Sequence, residues 1–221
     1  MPRVLCAAFG ALVILLTSGY TSAHAMNFSM VRVNNGDPLA AAIVMAGAIR
    51  PGDADRFTNY VVSARASNHV VGFVLDSPGG SVFEAERMAS ALRALGAAVL
   101  VGPRSPCLSA CFLLFAAGVQ RFAETTAVIG VHSASIDGHE NRDSLATTTL
   151  MARTAAAFGV PPSVITALLT TGPQQIVELN QAELAAMNVH LFEVAKSASV
   201  SSAEPDARVD AANQDTEPTK P

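Results

Sequence analysis

A continuous apolar run, Val70-Val71-Gly72-Phe73-Val74-Leu75, leads directly into Asp76-Ser77-Pro78-Gly79-Gly80-Ser81-Val82. A run of this kind reads as a strand buried on both faces. Beyond it Val82, Phe83, Met88, Leu92 and Leu95 recur at roughly helical spacing. The Pro-Gly-Gly segment is therefore expected to be a tight turn between a buried strand and a helix. Glycines there allow positive φ and let another group approach the backbone N–H donors. Such an edge can bind an oxyanion, although a plain structural turn uses the same residues.

The pattern repeats downstream. Ala97-Ala98-Val99-Leu100-Val101 reads as a second strand, followed by the polar break Gly102-Pro103-Arg104-Ser105-Pro106. Cys107 to Gly118 reads as a very apolar helix with Ser109 near its start. A serine there is either an N-cap or a nucleophile over the positive end of the helix dipole, with the Ala110 N–H beside it. A third strand, Ala127 to Val131, delivers His132, a candidate general base or a structural histidine. Upstream, Phe28–Val33 and Leu39–Met45 flank Asn34-Asn35-Gly36-Asp37-Pro38 and predict a β-hairpin. A helix over Asp53–Arg65 should bury Phe57, Val61 and Val62. After His132 come a polar loop (Ser133–Asp143), a helical stretch (Asn141–Phe158), a helix from Pro161-Pro162 to Gly172-Pro173, a short helix over Gln181–Met187, and an apolar stretch from Val189 to Val194. Strands alternating with helices imply an α/β fold with parallel sheet.

Gly47-Ala48-Ile49, Asp76-Ser77-Pro78-Gly79-Gly80-Ser81-Val82, Ser109-Ala110 and Gly130-Val131-His132, in this order and spacing, resemble the ClpP-type serine peptidases of the ClpP/crotonase fold. The likeness is strongest to the secreted, stand-alone ClpP-like proteins of bacteria, and it runs from about Gly47 to Val189. It implies an α/β fold of repeated strand–turn–helix units around a mainly parallel sheet. It also implies a helical arm after the third unit, which packs subunits into a homo-oligomer. By the same resemblance Ser109 is the nucleophile, His132 the base, and the backbone N–H groups of Gly80 and Ala110, with Gly79 as a further candidate, the oxyanion donors.

The third catalytic member departs from the family pattern. ClpP-type enzymes place an aspartate shortly before the last helix, and Thr171 to Asn180 contains none. Gln175 falls nearest by alignment, and Glu178 is the carboxylate of that segment. Asp137 and Asp143, in the loop after His132, are further candidates. An amide can orient an imidazole, but it stabilises the cation less. A serine–lysine dyad is excluded on inventory, because the lysines are Lys196 and Lys220, both in the C-terminal tail.

The chain has 221 residues, of which 50% are apolar and 14% charged, which suits one globular domain with a full core. A net charge of −4 without a Lys/Arg cluster argues against a nucleic-acid partner. Met1-Pro2-Arg3, the apolar run through Leu16 and the small-x-small Ala23-His24-Ala25 read as a cleaved secretory signal over residues 1–25. Retention as an N-terminal membrane anchor is the alternative, against which the run is short. The ClpP-like domain is then expected over residues 26–195, with a disordered tail over 196–221. Export places the protein in the periplasm, where no ATP-dependent unfoldase is expected as a partner. No cofactor is implied.

Cys107 and Cys111 flank Ser109 and have three readings: buried thiols, two ligands of a zinc site, or a disulfide suited to an oxidising compartment. His69 and His190 abut predicted strands and read as structural, His139 as solvated, and Arg121 as open between pairing with a carboxylate and gripping a substrate. The functional expectation is a serine hydrolase acting on peptides or unstructured protein segments without ATP. The rival is a catalytically weak or inactive ClpP-like binding protein. Crotonase-like acyl-CoA chemistry is a third reading, which export disfavours because CoA is cytoplasmic.

Overall fold

The computed structural model describes residues 25–194. The expected leader, Ala25 excepted, and the expected tail lie outside the described residues.

The chain opens with the hairpin of β1 (Asn27–Arg32) and β2 (Ala40–Ala46), paired antiparallel. Asn35 and Asp37 shape its turn by accepting the main-chain N–H groups two residues on, from Asp37 and Leu39. Helix α1 (Asp53–Ser67) buries Phe57, Val61 and Ala64, whereas Val62 points to solvent, one step around the helix from Val61. Then follow β3 (His69–Asp76), α2 (Val82–Ala94) and β4 (Ala98–Val101), as the hydrophobic periods indicate.

The next segment differs from expectation. Pro106–Leu108 is a short strand, β5, and the apolar helix, α3, begins at Cys111 and ends at Ala117. Every residue of α3 is fully buried, so its sequence shows no amphipathic period. Ser109 thus lies in the turn between strand and helix, where neither strand nor helix geometry applies.

Beyond α3 lie β6 (Gln120–Glu124), β7 (Val128–Val131), α4 (Arg142–Ala157), α5 (Pro162–Thr170), β8 (Val177–Glu178), α6 (Gln181–Ala186) and β9 (Val189–Phe192). The main sheet has the order β1-β2-β3-β4-β6-β9 and is parallel apart from β1. A smaller sheet, β5-β7-β8, pairs β5 with β7 in parallel and β7 with β8 antiparallel. The two sheets meet where β3 runs out. The Ser77 N–H donates to the Pro106 carbonyl, and the Ser77 carbonyl accepts from Leu108. This junction brings the Pro-Gly-Gly turn beside Ser109.

Strand β6 escapes the sequence pattern because two of its inward residues are charged. Arg121 is 8% exposed, and among the described residues it pairs with no carboxylate. Its guanidinium donates to the carbonyls of Ala116 (2.7 Å), Met187 (2.7 Å) and Phe158 (2.9 Å). These carbonyls sit at the C-terminal ends of α3, α6 and α4, where unpaired acceptors and negative dipole ends converge. Arg121 therefore ties three helix ends to the sheet, and burial holds its pKa below the usual arginine value. Among the described residues no helix is long and apolar enough to cross a membrane.

Candidate active site

The Pro-Gly-Gly turn is built by close backbone approach. Gly79 has φ 94° and Gly80 φ 138°, both outside the usual range of residues with side chains. A Cβ on Gly79 would lie 2.6 Å from the Leu108 carbonyl oxygen and 2.7 Å from Cβ of Ser109. One on Gly80 would lie 2.2 Å from the Ile49 carbonyl oxygen. Ile49 clamps the turn, donating its N–H to the Gly79 carbonyl and accepting from the Ser81 N–H. The N–H of Gly79 is used internally, donating to the buried Oγ of Ser77 at 3.1 Å. The N–H groups of Gly80 and Ala110 take part in none of the hydrogen bonds among the described residues. Of the three expected donors, Gly80 and Ala110 are thus available and Gly79 is committed to holding the turn.

Ser109 has φ 56°, a left-handed conformation that costs a residue with a side chain roughly 1–3 kcal/mol. Its own N–H donates to the Gly130 carbonyl at 3.0 Å, and its carbonyl accepts from Phe112 at 2.9 Å. Cys107 and Cys111, both fully buried, are joined by a disulfide with Cα atoms 5.2 Å apart, closing a loop around the serine. With both sulfurs in that bond, the cysteines are not metal ligands.

His132 follows β7 and lines the same cleft as Ser109, a space of about 440 Å³. Ser81, Val82 and Phe83 contribute from the side of the Pro-Gly-Gly turn, and Ala134, Ile136 and Thr147 from the loop after His132 and from α4. Apart from His132 itself, none of the lining residues is ionisable at neutral pH. Burial holds the imidazole below its ordinary pKa, opposed in part by the neighbouring Ser133 backbone. Its Nδ1 is buried and has no hydrogen-bond partner among the described residues. An orphaned atom of this kind costs about 1–3 kcal/mol.

None of the candidate third members fills that gap. Gln175 and Glu178 are exposed, and Asp137 is exposed at a turn with φ 51°. Asp143 lies in the first turn of α4, its main-chain N–H donating to the Asn141 side chain. The β7–β8 ladder pairs Gly130 with Glu178 and Val131 with Val177 and ends there, because the Ser133 N–H donates instead to the Thr171 carbonyl. Ile176, 44% exposed, lies just beyond the ladder, and its Cγ2 is 2.5 Å from where a Gly130 Cβ would stand, which puts it beside the strand that delivers His132. Sequence reading did not single out Ile176, since its place depends on β8, too short at two residues to leave a pattern. It also passed over Glu140, which accepts from Oγ of Ser133, beside the histidine, at 2.7 Å.

The other described histidines are accounted for structurally. His69 pairs with Asp37 at the hairpin, His190 stacks on Phe122, and His139 closes a turn with Ile136.

No protein-family model matches this chain, and no curated protein matches it. Solved structures do. A mutant of ClpP1 from Listeria monocytogenes superposes with a TM-score of 0.54 at 15% identity, covering 70% of this chain and 92% of that one. The ClpP protease catalytic domain from Plasmodium falciparum gives 0.51 at 14%, covering 68% and 83%. A mutant of 1510-N, a membrane-bound stomatin-specific protease, gives 0.50 at 16%, covering 68% and 76%. At these identities the likeness establishes the architecture: the chain has a ClpP-like fold, mixed α/β with a mainly parallel sheet.

Proposed function

We propose that this chain is an exported, ATP-independent serine hydrolase that cleaves peptides or unstructured protein segments. The observation that carries the reading is the company kept by Ser109. It occupies a left-handed turn between the unpaired N–H groups of Gly80 and Ala110 and shares a cleft with His132. A merely structural serine gains nothing from strained backbone beside two unused donors.

In this reading Oγ of Ser109 attacks the substrate carbonyl carbon while its proton passes to Nε2 of His132. The developing oxyanion takes hydrogen bonds from Gly80 and Ala110. Collapse of the intermediate breaks the C–N bond, and the imidazolium gives its proton to the departing amine. Water then attacks the acyl-enzyme, His132 accepts its proton, and that proton returns to Ser109 as the carboxylate leaves. The imidazole must be neutral to begin, and its depressed pKa keeps it so at neutral pH. The cleft, lined by neutral residues apart from His132, suits extended, uncharged segments, and the ClpP-like fold supports peptides as the substrate class.

The vacancy beside Nδ1 favours the second reading, a weakly active or inactive binding protein on the same scaffold, because the base lacks an orienting group. Incubating the purified protein with an unfolded, casein-like substrate without nucleotide, and sequencing the products, separates the two. New peptide termini that vanish in Ser109→Ala support the hydrolase. Stable binding without cleavage supports the scaffold.

A further inference from the structure

Met26 directly follows the small-x-small sequence Ala23-His24-Ala25 and is completely buried. Its main-chain N–H donates to Oδ2 of Asp53 at 3.3 Å, and its carbonyl accepts from Nη2 of Arg56 at 2.9 Å. Asp53 is itself only 1% exposed. It also accepts the main-chain N–H of Arg50 at 2.7 Å and pairs with Arg56, whose side chain is half exposed. Asp53 thus already gathers main-chain donors and Arg56 around a buried carboxylate at the start of α1, and a cationic group at Met26 would add a second charge-assisted partner there.

We propose that Asp53 is the receptor for the α-ammonium group that cleavage after Ala25 creates at Met26. The inference rests on that cleavage, and it is independent of whether Ser109 is catalytic. Hydrolysis of the Ala25–Met26 bond by a processing peptidase consumes one water, leaving a carboxylate on Ala25 and an amine on Met26 that takes up a proton. The nitrogen changes from a neutral donor of one hydrogen to a cation with three, already within reach of the carboxylate. Charge-assisted bonds of this type are shorter and about twice as strong as neutral ones. Among the described residues, what is lost is a single bridge between exposed Ala25 and Ala48. The new terminus is fixed at a sensitive junction, since Arg50 adjoins Ile49, the residue that clamps Gly79 and Ser81.

The mature chain has three primary amines: the Met26 terminus, Lys196 and Lys220. This permits a direct test. A chain released from a cleavable fusion so that it starts at Met26 is treated, folded and near pH 7, with limiting N-hydroxysuccinimidyl acetate, and acetylation is mapped by mass spectrometry. The two lysines should react, while the Met26 amine should be spared at least tenfold relative to the same chain in denaturant. Two extra residues, Gly-Ser, ahead of Met26 should lower the melting temperature by about 5 °C. In an Asp53→Asn background that difference should vanish. A Met26 amine acetylated as fast folded as unfolded would overturn the proposal, as would an extension that leaves the melting temperature unchanged. Should Asp53→Asn fail to fold, the acetylation and extension arms decide alone. Terminal sequencing of the exported protein tests the premise separately: Met26 first is expected, and any other first residue defeats it.

Discussion

At the scale of single residues, the chemistry turns on one side chain beside the base. Nδ1 of His132 is buried without a hydrogen-bond partner among the described residues, and Ile176, just beyond the β7–β8 ladder, packs over Gly130 two residues before it. A carboxylate that reached Nδ1 from position 176 would orient the imidazole and stabilise its cation. We therefore expect Ile176→Asp to raise the rate of Ser109 acylation by at least about tenfold, since orienting carboxylates are commonly worth more than that. The pH profile carries the sign. Burial depresses the His132 pKa, so in the wild type the neutral base persists below the ordinary histidine value of about 6.5, and reactivity should fall away only under more acidic conditions. In Ile176→Asp the neighbouring negative charge favours the imidazolium, so the acid limb should move to higher pH while the plateau rises. A profile that does not move, with an unchanged plateau, would show that position 176 does not face the base.

At the scale of elements, the turn between β5 and α3 is the part most dependent on its surroundings. The 107–111 disulfide closes a small loop, worth about 2 kcal/mol in chain entropy, around a backbone conformation that serine does not favour. Replacing both cysteines with alanine should leave the circular dichroism spectrum unchanged but slow modification of Ser109 by roughly tenfold, as the turn relaxes out of the left-handed region. Equal reactivity of the two proteins would assign the disulfide to general stability alone. This element also marks the limit of what the sequence discloses. The hairpin, α1, β3, α2 and β4 were legible because turn residues and apolar periods agree there. The helix start was placed too early at Cys107, because Cys107 to Ala117 is almost uniformly apolar and carries no period. Strand β6 was missed because Arg121 points inward, and its three carbonyl partners come from sequence positions that no local pattern connects. Ser109, His132, Gly80 and Ala110 were legible as a set through the order of their motifs. The unpartnered surroundings of the His132 Nδ1 were not, since they follow from how the end of β7 meets the chain after α5.

At the scale of the whole molecule, a ClpP-like fold raises the question of assembly. Leu145 on α4 and Leu169 on α5 are about half exposed. The uncovered face of the main sheet carries a second apolar hollow of about 280 Å³, lined by Val31, Val74, Leu100 and Phe122 among others. Surfaces of this kind in a soluble protein commonly mark interfaces. We expect multi-angle light scattering of the mature protein to give a homo-oligomer mass, with Leu145→Glu shifting it toward the monomer. A single monomer peak at working concentration would contradict this.

The hydrolase reading depends on Ser109 being a nucleophile activated by His132. Intact-mass analysis after exposure to a fluorophosphonate tests that most directly, with Ser109→Ala and His132→Ala treated alongside. The account predicts a single adduct on the wild type, absent from both variants. An unlabelled, folded wild-type protein across about pH 6 to 9 would contradict it and assign the cleft to binding.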